Sequence, residues 1–90
     1  MVGMVLLVED VRFTRAMTRR MIMSALPCEV HEAADGEEAL ATLKQINHID
    51  LVVADISMPG MNGLELLKTI RTGRAAVARD IPVIIISGTI

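Results

Sequence analysis

Aromatic residues are almost missing: Phe13 is the only one, and the 90 residues include no Trp and no Tyr. That excludes a groove that stacks unpaired bases on aromatic platforms. The core has to be filled instead with Val, Ile, Leu and the seven methionines, side chains that adapt readily in shape. Cysteine is as scarce. Cys28 stands alone, so neither an intrachain disulfide nor a thiolate metal cluster can form. Positive charge is not in excess either: nine Lys and Arg face eleven Asp and Glu, a net charge of -2, which gives no electrostatic case for wrapping a polyanion, and no nucleic acid is expected as a partner. No apolar run approaches the roughly 20 residues that span a bilayer. The apolar start, Met1 to Val8, has no basic leader and closes on Glu9-Asp10, unlike a secretory signal. The expectation is one folded domain in a reduced, cytoplasmic setting, away from membranes.

What is present alternates between two periodicities. Residues 4–8 are a continuous apolar run that ends at two carboxylates, and its length suits a strand buried on both faces. From Arg12 to Leu26, Phe13, Met17, Met21 and Ala25 recur every fourth position with Arg15, Arg19 and Arg20 between them. This predicts an amphipathic helix with the apolar line inward and the arginines on a solvated face. Pro27 stops it, and residues 28–33 read as a short edge strand in which Cys28 is a small buried hydrophobe. Asp35-Gly36 marks a turn. Glu37 and Glu38 then open a second helix, whose stripe is Ala39, Leu40, Leu43 and Ile46. Leu51-Val52-Val53-Ala54 is another buried strand, ending in Asp55, and a loop rich in Pro and Gly (residues 57–63) leads to a third helix over residues 64–71. Residues 82–87 form the last strand, with a β-branched run. His31 and His48 have no second histidine at metal spacing and read as a strand residue and a helix-end residue. The methionines read as core filler or loop residues.

Strands separated by helices imply a parallel sheet with right-handed crossovers, an α/β domain with helices on both faces. Such sheets carry their sites at the carboxyl ends of the strands. There this chain offers Glu9-Asp10, Asp55 and Ser87. Carboxylates gathered on one rim repel each other unless a cation sits among them. A hard divalent ion such as Mg²⁺, taking one or two carboxylates and a phosphoryl oxygen, suits that donor set. Glu9-Asp10 alone would read as a solvated loop end; with Asp55 and Ser87 at matching strand ends, a site is favoured. Asp55 is the candidate nucleophile, because a carboxylate can accept a phosphoryl group. Ser87 could donate a hydrogen bond to it, with Gly88 leaving the approach open.

Four stretches, Val5 to Asp10, Ala34 to Leu40, Asp50 to Leu67 and Pro82 to Gly88, together resemble the receiver domain of two-component response regulators. The likeness runs in order through essentially all of the chain. It implies a flavodoxin-like, doubly wound parallel sheet with strand order 2-1-3-4-5. It also implies that Asp55 takes a phosphoryl group from the phosphohistidine of a sensor histidine kinase or phosphotransfer protein. Asp10 would bind Mg²⁺ directly, Glu9 through water, and Ser57 through its backbone carbonyl. Ser87 would turn toward the phosphoryl oxygen, Ser57 and Thr89 would tune access of the attacking water, and Pro59 and Gly63 would shape the loop before the third helix. Kinase contacts would fall near the first helix.

The sequence also departs from that family, whose members have five strands and five helices in about 120 residues. Residues 1–90 are expected to be a truncated receiver domain with strands 1–4 and helices 1–3, lacking the fourth helix, the fifth strand and the fifth helix, as a fragment of a longer regulator or a naturally short chain. The lysine that ends the family's fifth strand has no counterpart, since Lys44 and Lys68 are the only lysines and both fall on predicted helices. Metal binding and the nucleophile should survive, with phosphoryl stabilisation weakened. The bare fourth-strand edge should favour self-association. The alternative function is a protein-interaction module of the same fold that works without phosphate. An enzyme is not expected. An aspartyl-phosphate phosphatase usually has a second Asp two residues after its nucleophile, where this chain has Ser57, and no glycine-rich nucleotide loop follows the first strand.

Overall fold

A computed structural model describes residues 3–87 of the chain. Strand and helix alternate along it: β1 Gly3–Val8, α1 Arg12–Ala25, β2 Cys28–Ala33, α2 Gly36–Gln45, β3 Leu51–Asp55, α3 Gly63–Arg71 and β4 Val83–Ile86. All strand pairs are parallel, and the sheet order is β2-β1-β3-β4. The order matches the flavodoxin-like expectation for these four strands. The two continuous apolar runs are its central strands. Leu6, Leu7 and Val8 of β1 and Val52, Val53 and Ala54 of β3 are buried, because a central parallel strand has helices or further chain over both faces. The expectations that concern Gly88 and Thr89 lie outside the described residues.

The two faces of the sheet are covered differently. On one, α2 and α3 bring Ala39, Leu43, Leu66 and Ile70 against Leu6, Val8, Ala33, Val52 and Ala54. Their starting points are set by side-chain caps. The N–H of Glu38 donates to Oδ1 of Asp35 at 2.8 Å. Asn62 and Glu65 cap each other's backbone N–H at 2.9 and 3.1 Å, a reciprocal box in which each such cap stabilises by about 1 kcal/mol. Fixing these starts also fixes the loops that leave the carboxyl ends of the strands.

On the other face α1 packs on β2 and β1, and here the periodicity misleads. Phe13, Met17 and Met21 are exposed, Phe13 at 74%, and no residue of α1 is buried. The half-buried side of the helix carries Thr14, Arg15, Thr18, Arg19 and Ile22 instead. Glu32 of β2 stands under α1 and pairs with both Arg15 and Arg19, so the arginines lie on the sheet-facing side of the helix and the apolar line on the other. The methionines divide accordingly. Met58 is buried and Met4 and Met61 pack on the core, whereas Met17, Met21 and Met23 are exposed. Cys28 is half-buried rather than buried. β4 is a sheet edge, and Ile84 on it is 50% exposed.

Candidate functional site

β1 and β3 lie side by side with Val8 paired to Ala54, so the next residues, Glu9 and Asp55, leave the sheet at the same level. Carboxylate oxygens of Glu9, Asp10 and Asp55 come within 4.8 Å of one another. At that separation two like charges repel by about 3 kcal/mol in an effective dielectric of about 20. Two of the three are almost completely withdrawn from water, Glu9 at 1% and Asp55 at 6% exposure. Among the described residues, no Lys, Arg or His forms an ion pair with any of them; both ion pairs belong to Glu32. Among the described residues, backbone donors reach the two buried carboxylates: Val11 N–H to Glu9 Oε2 at 3.0 Å and Ser57 N–H to Asp55 Oδ1 at 3.3 Å. Burial holds the Glu9 carboxyl above its ordinary range; the Val11 N–H opposes this, and Asp10 and Asp55 add to it.

The loop after β3 is pressed close to Asp55 by the start of α3. A Cβ on Gly63 would stand 2.3 Å from the Asp55 carbonyl oxygen and 2.9 Å from its carbonyl carbon, so only glycine lets the helix begin there. Gly36 plays the same part for α2, where a Cβ would meet Met61 at 2.6 Å. Between these points Ile56, Ser57, Met58, Pro59 and Asn62 line an open groove of about 490 Å³. Ser57 is exposed in it. Ser87 is also exposed and follows Ile86, which pairs with Asp55 and whose carbonyl accepts from Ile56 N–H at 2.9 Å. The structure thus gathers Glu9, Asp10 and Asp55 into one cluster and puts Ser57 and Ser87 on the same rim.

One participant escaped the sequence reading. Arg15, expected on a solvated face, donates from Nη1 to the Glu9 carbonyl oxygen at 2.8 Å and from Nε to Glu32 Oε1 at 2.8 Å. Arg19 Nη1 holds the other oxygen of Glu32 at 2.5 Å. The Arg19 hydrogen bond, with Arg15 beside it, keeps the Glu32 carboxyl below its ordinary range despite partial burial. The available signal was weak: two arginines four apart on a helix, and a glutamate on the following strand.

A doubly wound parallel sheet with an acidic cluster at the carboxyl ends of its two central strands defines a receiver-type signalling domain. Residues 5–90 match the response regulator receiver domain family, and the chain belongs to it. A gliding motility regulatory protein of Myxococcus xanthus is 45% identical over 83 residues, which is 92% of this chain and 10% of that protein. A putative two-component response regulator of Arabidopsis thaliana, ARR19, is 38% identical over 82 residues, 90% of this chain and 19% of that one. The chain therefore spans a fifth or less of these relatives' length. The crystal structure of a response regulator receiver protein from Pseudomonas putida superposes with a TM-score of 0.82 at 30% identity, covering 100% of this chain and 71% of that one. Membership places the chain among the signalling modules of two-component systems.

Proposed function

We propose that the domain receives a phosphoryl group on Asp55 from the phosphohistidine of a sensor histidine kinase or a phosphotransfer protein, in a reaction that requires Mg²⁺. The observation that carries this reading is the cluster itself: three carboxylates within 4.8 Å, two of them buried, with no basic side chain paired to them among the described residues. Buried negative charge without a partner is costly, and a hard divalent cation with oxygen ligands fits such a donor set. Asp10, Asp55 and the Ser57 backbone carbonyl would hold the ion, with Glu9 acting through water. When bound, it neutralises charge on the transferring phosphoryl oxygens.

The remaining steps belong to the chain. A carboxylate oxygen of Asp55 forms the new O–P bond as the P–N bond to the donor imidazole breaks, and the leaving nitrogen takes a proton from solvent. Ser87 donates a hydrogen bond to a phosphoryl oxygen from the neighbouring strand end. Lys44 and Lys68 sit in the last turns of α2 and α3, so neither stands in for a lysine at the rim. The domain acts as an acceptor in signalling rather than as an enzyme, in the cytoplasm; among the described residues, no helix is long and apolar enough to cross a membrane. A second copy pairs along the outer edge of β4, which joins no further strand among the described residues and where Ile84 is half-exposed on the face that α1 covers.

Titration with Mg²⁺ tests the site. Asp10→Asn should weaken binding by about tenfold or more, since it removes one of the charges that attract the ion. Equal affinity in that variant would show that the metal is not held here.

A further inference from the structure

Glu9 is tied down at every polar group it has in the backbone. Its N–H donates to the Ala33 carbonyl of β2 at 3.0 Å. Its carbonyl accepts from Arg15 Nη1 at 2.8 Å, and Arg15 is itself gripped by Glu32 of β2 at 2.8 Å. The Glu9 carbonyl is half of the peptide unit whose other half is the N–H of Asp10. Because that unit is planar, holding the carbonyl fixes the plane from which Asp10 departs. The Arg15 side chain is 18% exposed, so water competes poorly for this contact.

We infer that Arg15, anchored by Glu32, is a positioning residue for the acidic cluster: its guanidinium orients the Glu9-Asp10 peptide so that Asp10 faces Asp55 at ligating distance. The inference rests on the metal-dependent reading above. A guanidinium suits the task because its fixed fork donates in two directions at once, from Nε to Glu32 and from Nη1 to the Glu9 carbonyl. A lysine carries the same charge on one flexible ammonium and lacks that geometry. The role is geometric, not attractive, since a positive charge near the cluster would by itself repel a cation. Removing the side chain through electrostatics alone would strengthen Mg²⁺ binding; through lost orientation it weakens it. Arg15→Lys keeps the positive charge, so a loss of affinity in that variant reports lost orientation alone.

The test compares Arg15→Lys with Arg19→Lys, which touches Glu32 but not Glu9. Two quantities are read on folded protein: the Mg²⁺ dissociation constant and the ¹⁵N–¹H signal of the Asp10 amide. Arg15→Lys should weaken Mg²⁺ about tenfold, the low end of the range for groups that orient a metal ligand through a hydrogen bond, and should shift the Asp10 amide. Arg19→Lys should stay within about twofold on that same scale and leave the amide in place. Unchanged affinity in Arg15→Lys, or equal losses in both variants, would overturn the inference and leave the arginines as a staple between α1 and β2. If Arg15→Lys does not fold, Glu32→Gln loosens the same anchor from its other end, and the same two readings apply. A wild-type protein that binds no Mg²⁺ overturns the metal reading instead; the Asp10 amide in Arg15→Lys then still decides whether Arg15 sets that peptide.

Discussion

Replacing Gly63 with alanine adds a single methyl group at the most crowded point beside Asp55. The new carbon would lie 2.3 Å from the Asp55 carbonyl oxygen and 3.3 Å from Ile56 Cα, where ordinary contact begins at 3.4 Å. The three atoms nearest to it are all backbone, so the clash is not relieved by rotating a side chain. The start of α3 must retreat by about 1 Å, and overpacking of this kind costs about 1–3 kcal/mol. Alanine recovers about 0.5–1 kcal/mol through its better helix propensity. With backbone on both sides the clash belongs at the upper end, so the net loss is about 2 kcal/mol. For a domain of this size that lowers the melting temperature by about 8–16 °C. Gly3→Ala is the control. Among the described residues its Cβ would meet Asp50 Oδ2 at an ordinary 3.6 Å, and stability should hold or rise slightly. Thermal and urea unfolding of both variants measure the difference. A Gly63→Ala protein as stable as the wild type would refute the claim that α3 is wedged against the nucleophile's backbone.

Two further consequences follow from charge and from the sheet edge. Glu32 has a folded-state pKa below its ordinary value of 4.5, so between the two values the unfolded chain binds more protons and stability rises with pH. The contribution is complete above 4.5 and is lost as pH falls through the folded value; urea midpoints of Glu32→Gln should therefore fall less steeply with acid than those of the wild type, and parallel curves would contradict the assignment. At the edge, Ile84→Lys places a charge on the exposed strand, a standard block to strand pairing; sedimentation should show a dimer or larger species for the wild type and a monomer for the variant, whereas a monomeric wild type would remove the pairing proposal.

Much of the fold was legible because the sheet imposes strong local patterns. The uninterrupted runs Leu6 to Val8 and Val52 to Ala54 read by their length as strands covered on both faces, and the structure buries them. The Asp35-Gly36 turn and the Pro- and Gly-rich loop of residues 57–63 read as the entries to the second and third helices, and α2 and α3 begin there. The acidic cluster was legible for the same reason: parallel neighbours that end in carboxylates must bring them together, and Glu9, Asp10 and Asp55 do meet. α1 was not legible. Its apolar line at Phe13, Met17 and Met21 points away from the sheet, while the arginines that read as solvated pair with Glu32, a residue on another element. Periodicity describes one element at a time. The same limit hid Arg15, whose partner atoms are the carbonyl of Glu9 and a carboxylate 17 positions along the chain. Gly63 shows the opposite case: the sequence places it in the loop before α3, but only the distance to the Asp55 carbonyl says why it must be glycine.

The central claim is that Asp55 is the acceptor, and intact mass after incubation with a small phosphodonor tests it most directly. With Mg²⁺ present the wild type should gain one phosphoryl group. The gain should vanish when Mg²⁺ is chelated, and it should vanish in Asp55→Asn, which keeps the shape of the side chain and removes the nucleophilic charge. A phosphoryl group carried equally well by Asp55→Asn, or acquired without the metal, would contradict the account.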